Sequence, residues 1–346
     1  METRLRMKKK QTGKMDADIL VGGQAVIEGV MMRTPRAVAI AVRQPDGGIA
    51  VMKERAPRWT DRFPVLKWPV IRGTAILIQS LILGIRALNW SAEVAMAAEE
   101  GDKKEAAEGK SQEDAAPARP KENRWLLIGS LVFSLAAGVA LFVLVPYWLS
   151  ALITKAAFPA VAQTDVVHEN WLFFNLVDGA IRVVFFLAYI LAISLMKDIR
   201  RVFQYHGAEH KVVHVWEAKE PIAVASARPK STLHPRCGTS FLLYVMAVSI
   251  VVFTLFKFDW WVLKVASRVV LLPLVAGISY ELVRLSARFP GNPFCRVLIA
   301  PGLLLQRITT KPPDDAMLEV SVRALQEALV LEDEIQAESG GKPTAA

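Results

Sequence analysis

Four of the five histidines in the chain and one of its two cysteines lie between residues 206 and 237. They are His206, His210, His214, His234 and Cys237. Imidazole nitrogen and thiolate sulfur are ligands that zinc prefers in proteins, and iron accepts them as well. This concentration of side chains predicts a site for a divalent metal, with zinc as the first choice and iron as the alternative.

The spacing of the first three histidines places them on one face of a helix. An α-helix has about 3.6 residues per turn, so residues four apart drift by only about 40° per step. His206, Glu209 and His210 also follow the H-x-x-E-H order of the inverted zincins, in which the histidines bind zinc and the glutamate is a general base. The pattern predicts His206 and His210 as metal ligands and Glu209 as a base or further ligand.

Spacing alone does not decide which residue completes the site. A glutamate far downstream is the third ligand in inverted zincins, and Glu281 is the candidate for that role here. Cys237 is the alternative, because His234-x-x-Cys237 offers a second pair and thiolate is a strong zinc ligand. Three more residues are candidates for the neighbourhood of the site: His214, Glu28 and Arg236.

Other roles remain open for these side chains. The histidines could be interfacial residues that bind phosphates and backbone carbonyls, with Cys237 simply packed, or they could serve in haem ligation or a proton relay. Glu28 either reaches the metal centre or is a salt-bridged strand residue among apolar neighbours. His168 is predicted to lie in an exposed loop on the opposite side of the membrane from the other four.

Composition indicates a membrane protein. The chain is 53% hydrophobic and its mean hydropathy is +0.32, and the apolar residues are clustered into long segments. The formal charge of +9 does not indicate nucleic-acid binding, because the basic residues flank apolar segments instead of forming one tail with interleaved aromatics. Two cysteines are too few for a disulfide framework, which favours a reducing compartment. The basic N-terminus has no apolar run after it and is not a signal peptide.

The predicted fold is an α-helical integral membrane protein with four transmembrane helices, a small N-terminal cytoplasmic antiparallel β-sheet and an interfacial helix. The sheet is expected from short β-rich runs separated by turn residues such as Pro45-Asp46-Gly47-Gly48. In chain order the predicted segments are a basic tail (1–17), the sheet (18–56), an interfacial or re-entrant helix (57–92), a disordered charged linker (93–124), spans at 125–153 and 171–196, the His/Cys loop (197–239), spans at 240–256 and 262–285, and a cytoplasmic tail (286–346).

Basic residues near the ends of the spans predict the orientation. Most of them fall on one side, which the positive-inside rule assigns to the cytoplasm, together with both termini and the His/Cys loop. The expected location is the plasma membrane, with lipid as a partner. Residues 314–335 form an acidic pattern with one apolar stripe, which predicts a helix that docks on the cytoplasmic face or on a protein partner. Asp178 and Arg182, within the second span, are predicted to form a structural ion pair near Arg268.

Three motifs together resemble the YqhQ-like family of bacterial and plastid membrane proteins. They are residues 22–33 (GGQAVIEGVMMR), 205–211 (YHGAEHK) and 234–241 (HPRCGTSF), and the similarity extends from about residue 18 to 335 except around 100–120. The family is uncharacterised or described as predicted metal-dependent enzymes. The resemblance implies a membrane location and a candidate metal site at His206, Glu209, His210, His234 and Cys237, with Glu28 from the first motif, but no particular reaction.

Two functions follow as hypotheses. The first is a membrane-embedded metal-dependent enzyme, hydrolase-like, in which Glu209 and the metal activate water, with a substrate that the sequence does not name. The second is a non-catalytic scaffold or assembly factor that binds a partner through its cytoplasmic sheet and C-terminal helix. A transporter has little support, because four spans without an internal repeat do not match the usual transporter architecture.

Overall fold

The computed structural model describes residues 20–57, 59, 63–108, 124–159, 170–256, 261–289, 292–338 and 340. The predicted basic tail and His168 lie outside these residues. Among them the strands are β1 (Gly22–Val26), β2 (Gly29–Arg33), β3 (Ala37–Arg43) and β4 (Ile49–Arg55). The helices are α1 (Ile71–Glu108), α2 (Arg124–Val139), α3 (Val145–Ala157), α4 (Trp171–Ser194), α5 (Lys197–Glu217), α6 (Val224–Ala227), α7 (Gly238–Leu255), α8 (Trp261–Val270), α9 (Leu272–Arg288), α10 (Pro293–Thr309) and α11 (Asp315–Glu338).

The N-terminal sheet is antiparallel, and its described strands follow the order β1-β2-β3-β4. The prediction of a small antiparallel sheet is confirmed, with β3 and β4 joined at the predicted Pro-Asp-Gly-Gly turn, where Gly47 has a φ of 85° that favours glycine. In the first hairpin β1 and β2 pair around a turn at Ile27 and Glu28. β1 therefore forms one edge of the sheet.

Helices cover both faces of the sheet. Side chains that alternate along β2 and β3, including Val30, Met32 and Ala39, pack against α5 and α11. The opposite face, with Met31 and Ile40, packs against Leu83 and other residues of α1. Because both faces are covered, β2 and β3 are almost completely buried, and the sheet fixes three helices relative to one another.

The C-terminal helix α11 packs on the sheet of its own chain. The stripe predicted for docking is buried in this way: Met317, Val320, Leu325, Ala328 and Leu329. Its buried Glu332 accepts hydrogen bonds from the Thr34 hydroxyl and the Arg36 backbone N–H, each at 2.8 Å. In this structure the apolar stripe is therefore occupied from within the chain and is not exposed to a partner protein.

Four described helical segments are long and apolar enough to cross a membrane: Ile71–Met96, Val132–Ala157, Trp171–Ser194 and Gly238–Leu255. Their number equals the predicted number of spans, on helix length and composition alone. The predicted span at 262–285 is divided at Leu271 into α8 and α9, with Pro273 in the first turn of α9, where its missing N–H costs no helical hydrogen bond. The segment predicted as interfacial belongs to α1, which is long and apolar enough to span, while its Leu83 and Ala87 pack on the sheet.

Helix α1 also extends beyond its predicted end. The charged linker was predicted to begin at residue 93, whereas the helix continues to Glu108, and residues 109–123 lie outside the described part of the chain. Alanine, glutamate and lysine dominate this stretch, and all three have high helix propensity. A low content of bulky apolar residues therefore did not prevent a helix from continuing.

The predicted ion pair within the membrane helices is present. Arg182 binds Asp178 at 2.9 Å within α4, and Arg268 of α8 reaches the same carboxylate at 3.3 Å. Arg182 also donates to the carbonyl of Phe142 at 2.7 Å, in a π-helical turn (Ala140–Leu144) between α2 and α3. These contacts connect three helical segments through buried charges, as expected for a structural role.

Candidate metal centre

Helix α5 presents its histidines beside the face that packs against the sheet. Tyr205, Ala208 and Val212 fill the core beneath β2, and the imidazoles of His206 and His210 project beside them. Gly207 allows the helix to approach residue 311 closely, because a Cβ at this position would lie 2.2 Å from the backbone oxygen of Lys311. The apolar face and the close approach together fix the direction of the histidine face.

One cluster consists of His206, His210 and Cys237. One potential ligand atom from each residue lies within 4.8 Å of the other two, and Nε2 of His206 is 3.2 Å from Sγ of Cys237. Cys237 caps the N-terminus of α7, where its sulfur accepts a hydrogen bond from the Thr239 backbone N–H. Two imidazoles on one helix and a thiol at the start of another therefore converge, as the sequence predicts.

Backbone carbonyls orient both imidazoles of this cluster. Nδ1 of His206 lies 2.9 Å from the Thr309 carbonyl, and Nδ1 of His210 contacts the Thr232 carbonyl. A carbonyl oxygen only accepts, so these contacts assign the proton to Nδ1 and leave a lone pair on Nε2. Metal-binding histidines in proteins are commonly held by a hydrogen bond of this kind from the other ring nitrogen.

His210 has a second property that a ligand needs. Its Nε2 is buried and makes no hydrogen bond to any other residue in the described part of the chain. Burial lowers the pKa of His210, because the charged imidazolium is poorly solvated there, and this favours the neutral form that can donate a lone pair. An unpaired buried nitrogen is costly unless something binds it.

Glu209 lies at the edge of the same cluster. Its Oε2 atom is 3.5 Å from Nε2 of His210. Burial raises the pKa of Glu209, while the backbone N–H of Gly23 favours the carboxylate by hydrogen bonding. A Cβ on Gly23 would lie 2.9 Å from Cγ of Glu209. The glycines of the first motif thus bring the β1 backbone close to this acid, a contact that the sequence did not indicate.

A second cluster adjoins the first and consists of His214, Glu217 and His234, whose potential ligand atoms also lie within 4.8 Å of one another. Here the polar atoms have protein partners. Nε2 of His234 is 3.0 Å from Glu217, which also pairs with Arg236, and Nε2 of His214 is 2.9 Å from the Leu233 carbonyl. Sequence analysis missed Glu217, although it lies three residues after His214 on the same helix face.

Electrostatics and a buried amide hold the second cluster in place. Burial alone would raise the pKa of Glu217, but the hydrogen bond to His234 and the charge of Arg236 outweigh this effect and lower it. Oε1 of Gln306 in α10 accepts a hydrogen bond from the His234 backbone N–H at 2.8 Å, and Nε2 of the same amide donates to the His234 carbonyl at 2.9 Å. The loop before Cys237 is therefore fixed from both sides.

Two predicted site residues are not part of either cluster. Glu281 forms a bidentate ion pair with Arg72 of α1, so it does not provide the third ligand that the inverted-zincin order suggested. Glu28 pairs with Arg201 and accepts a hydrogen bond from Tyr205 at 3.3 Å. The interpretation of Glu28 as a salt-bridged residue fits this contact. Both acids meet distant arginines, which local sequence spacing does not reveal.

A cavity of about 810 Å³ opens beside the first cluster. His206 and Cys237 contribute to its wall, and the remaining lining comes from β1, β2, α1, α5, the first turn of α7 and Tyr280 of α9. The cavity gives a small molecule a route to the imidazole and the thiol, whereas the second cluster does not line it.

Comparison with known proteins places the chain in a family. Residues 68–331 match the family model described as "Protein of unknown function (DUF1385)". The chain is also similar to the "Uncharacterized protein YqhQ" of Bacillus subtilis (strain 168), at 35% identity over 312 residues, which cover 90% of this chain and 92% of that protein. No solved structure matches. The chain therefore belongs to the DUF1385 family.

Proposed function

We propose that this protein is a membrane-bound, metal-dependent hydrolase with a zinc ion held by His206, His210 and Cys237; iron is the alternative metal. The observation that carries the proposal is the buried Nε2 of His210, which has no hydrogen-bond partner in the described part of the chain while Nδ1 of the same ring is held by a carbonyl. Two neutral imidazoles and a thiol form a donor set that suits zinc.

The roles of the surrounding residues follow from their positions. A zinc ion bound there would supply Lewis acidity and lower the pKa of water. Glu209, buried and with a raised pKa, is placed to accept a proton at its carboxylate, or to act as a further ligand through Oε2. The adjacent cavity leaves room for substrate beside the cluster.

We also propose that this site faces the cytoplasm at the plasma membrane. The proposal is supported by the excess of lysine and arginine in residues 197–219, 228–236 and 284–307, in the connections near the cluster. A scaffold function through the C-terminal helix has less support, because that helix buries its apolar stripe on its own sheet.

The test is elemental analysis of detergent-purified protein. Wild type is expected to contain about one zinc or iron per chain, and the His206→Ala/His210→Ala variant is expected to contain none. His214→Ala serves as the matched control, since it removes an imidazole of the same helix whose Nε2 contacts the Leu233 carbonyl and leaves all three proposed ligands in place. Wild-type protein that remains free of metal after purification from zinc- and iron-supplemented cells would overturn the proposal.

A further inference from the structure

The cavity beside His206 and Cys237 has a predominantly apolar wall. Leu20 and Val21 precede β1, Met31 comes from β2, and Ile76 and Leu83 come from α1. Its volume of about 810 Å³ is in the usual range for small-molecule sites, roughly 300–1,000 Å³. Such a wall favours a ligand with a substantial hydrocarbon part, because burial of apolar surface stabilises binding.

One wall of the cavity belongs to a candidate membrane helix. Ile76 and Leu83 of α1 face the cavity, whereas Leu77, Leu81 and Ile85 of the same helix are exposed large apolar residues. The segment that contains them is apolar and long enough to cross a bilayer. The cavity thus adjoins a surface suited to lipid, from which a hydrocarbon chain can enter without crossing water.

Arg33 is the charged side chain on the cavity wall. Its Nη1 donates to the Ser80 hydroxyl at 3.4 Å, and no carboxylate in the described part of the chain pairs with it. Burial lowers the pKa of Arg33, which shows how poorly the charge is solvated there. Arginine presents a planar fork that binds carboxylate or phosphate in a bidentate manner, so an anion would satisfy this group.

We infer that the cavity binds a lipid-like amphiphile, with its anionic phosphate or carboxylate headgroup at Arg33 and its hydrocarbon chain along the apolar wall. The inference rests on the proposed function only in making this amphiphile the substrate, because His206 and Cys237 line the same cavity as Arg33. The competing ligand is an extended peptide paired with β1, since residues 22–25 of this edge strand also line the cavity.

The experiment measures saturable binding of radiolabelled hexadecyl phosphate to the full-length protein in phosphatidylcholine nanodiscs, with empty nanodiscs subtracted. Arg33→Gln is expected to weaken binding at least about tenfold, since a charge-assisted hydrogen bond is lost. The matched control is Arg86→Gln, because Arg86 lies on the same helix as Leu83 but is exposed. The affinity of this variant for hexadecyl phosphate is expected to match that of wild type. Gly22→Leu provides a second variant: Gly22 lines the cavity and a Cβ there meets no atom within 4 Å, so a leucine is expected to occupy cavity space and weaken binding.

Three results would overturn the inference. They are equal binding of hexadecyltrimethylammonium, equal affinity for inorganic phosphate alone, or displacement of the probe by a neutral β-forming peptide with no effect of Arg33→Gln.

The same assay on His206→Ala/His210→Ala separates the two proposals, because the cavity is expected to bind the probe without metal. A metal-free wild type that still binds hexadecyl phosphate through Arg33 refutes the metal centre alone, and a metal-loaded wild type that does not bind it refutes the ligand alone.

Discussion

The two histidine clusters lie side by side and share α5, yet they differ in how their ring nitrogens are used. The rings of His210 and His234 are 5.7 Å apart, so the clusters experience a similar environment. In the first cluster a carbonyl contacts Nδ1 of each imidazole. Nε2 of His206 contacts the Cys237 thiol, and Nε2 of His210 has no hydrogen-bond partner in the described part of the chain. In the second, Nε2 of each histidine is already bound by protein. Closeness of potential ligands is therefore a weaker criterion for a metal site than the absence of competing hydrogen bonds.

The largest expected effect is the difference in zinc affinity between single substitutions in the two clusters. His210→Ala removes a proposed ligand, and we expect zinc affinity to fall by more than the 10- to roughly 100-fold that loss of an outer-shell partner costs. His214→Ala removes an imidazole whose Nε2 binds the Leu233 carbonyl, and we expect zinc content to remain at the wild-type value. Competition with a chromogenic chelator measures both affinities.

The opposite ranking would contradict this assignment. If His214→Ala lost metal and His210→Ala kept it, the second cluster would be the binding site. If each substitution removed about half of the metal, both clusters would bind it.

A smaller effect is expected from the hydroxyl that supports the thiol. Oγ1 of Thr239 lies 3.2 Å from Sγ of Cys237 and can stabilise a thiolate by donating a hydrogen bond. Thr239→Val preserves the shape of the side chain and removes that donor, so we expect roughly tenfold weaker zinc binding. Thr239→Ser keeps the hydroxyl and is expected to restore the affinity in the same chelator assay; equal weakening in both variants would point to packing instead.

The smallest expected effect on zinc content comes from a substitution in the second cluster. That substitution is expected to lower the free energy of unfolding. Glu217→Ala leaves Nε2 of His234 and the Arg236 guanidinium without their carboxylate. We expect a loss of about 1–3 kcal/mol in the free energy of unfolding, because a buried polar group loses its partner. The unfolding midpoint in a thermal melt, followed by tryptophan fluorescence, should fall while zinc content stays unchanged. A stable variant that lacks zinc would show that Glu217 supports the metal site.

Local patterns predicted the parts of the fold that depend on near neighbours in sequence. The β-rich run at residues 37–42 predicted β3, and the four-residue spacing predicted that His206 and His210 share a face. The ion pair of Asp178 with Arg182, also four residues apart, follows the same rule. Each of these predictions required only the period of one strand or helix.

Long-range pairing could not be predicted in this way. Arg72 binds Glu281 across 209 residues, and Arg201 binds Glu28 across 173 residues, so neither acid's partner is visible from spacing. The sequence predicted a helix within 57–92 but not its packing on the sheet and α9 or its extension to Glu108. Helix propensity and hydropathy describe a segment, but tertiary contacts decide where that segment ends and what it faces.

The position of α10 in the chain has a consequence for biosynthesis. Thr309 supplies the carbonyl that orients His206, and Gln306 anchors the backbone of His234, although both lie far downstream of the residues they hold. Domains generally begin to fold from the N-terminal end during translation. A nascent chain that has emerged from the ribosome only to about residue 300 thus carries all the proposed ligands but lacks two of the groups that set their geometry. The first cluster is completed only once the chain has been synthesised past residue 309.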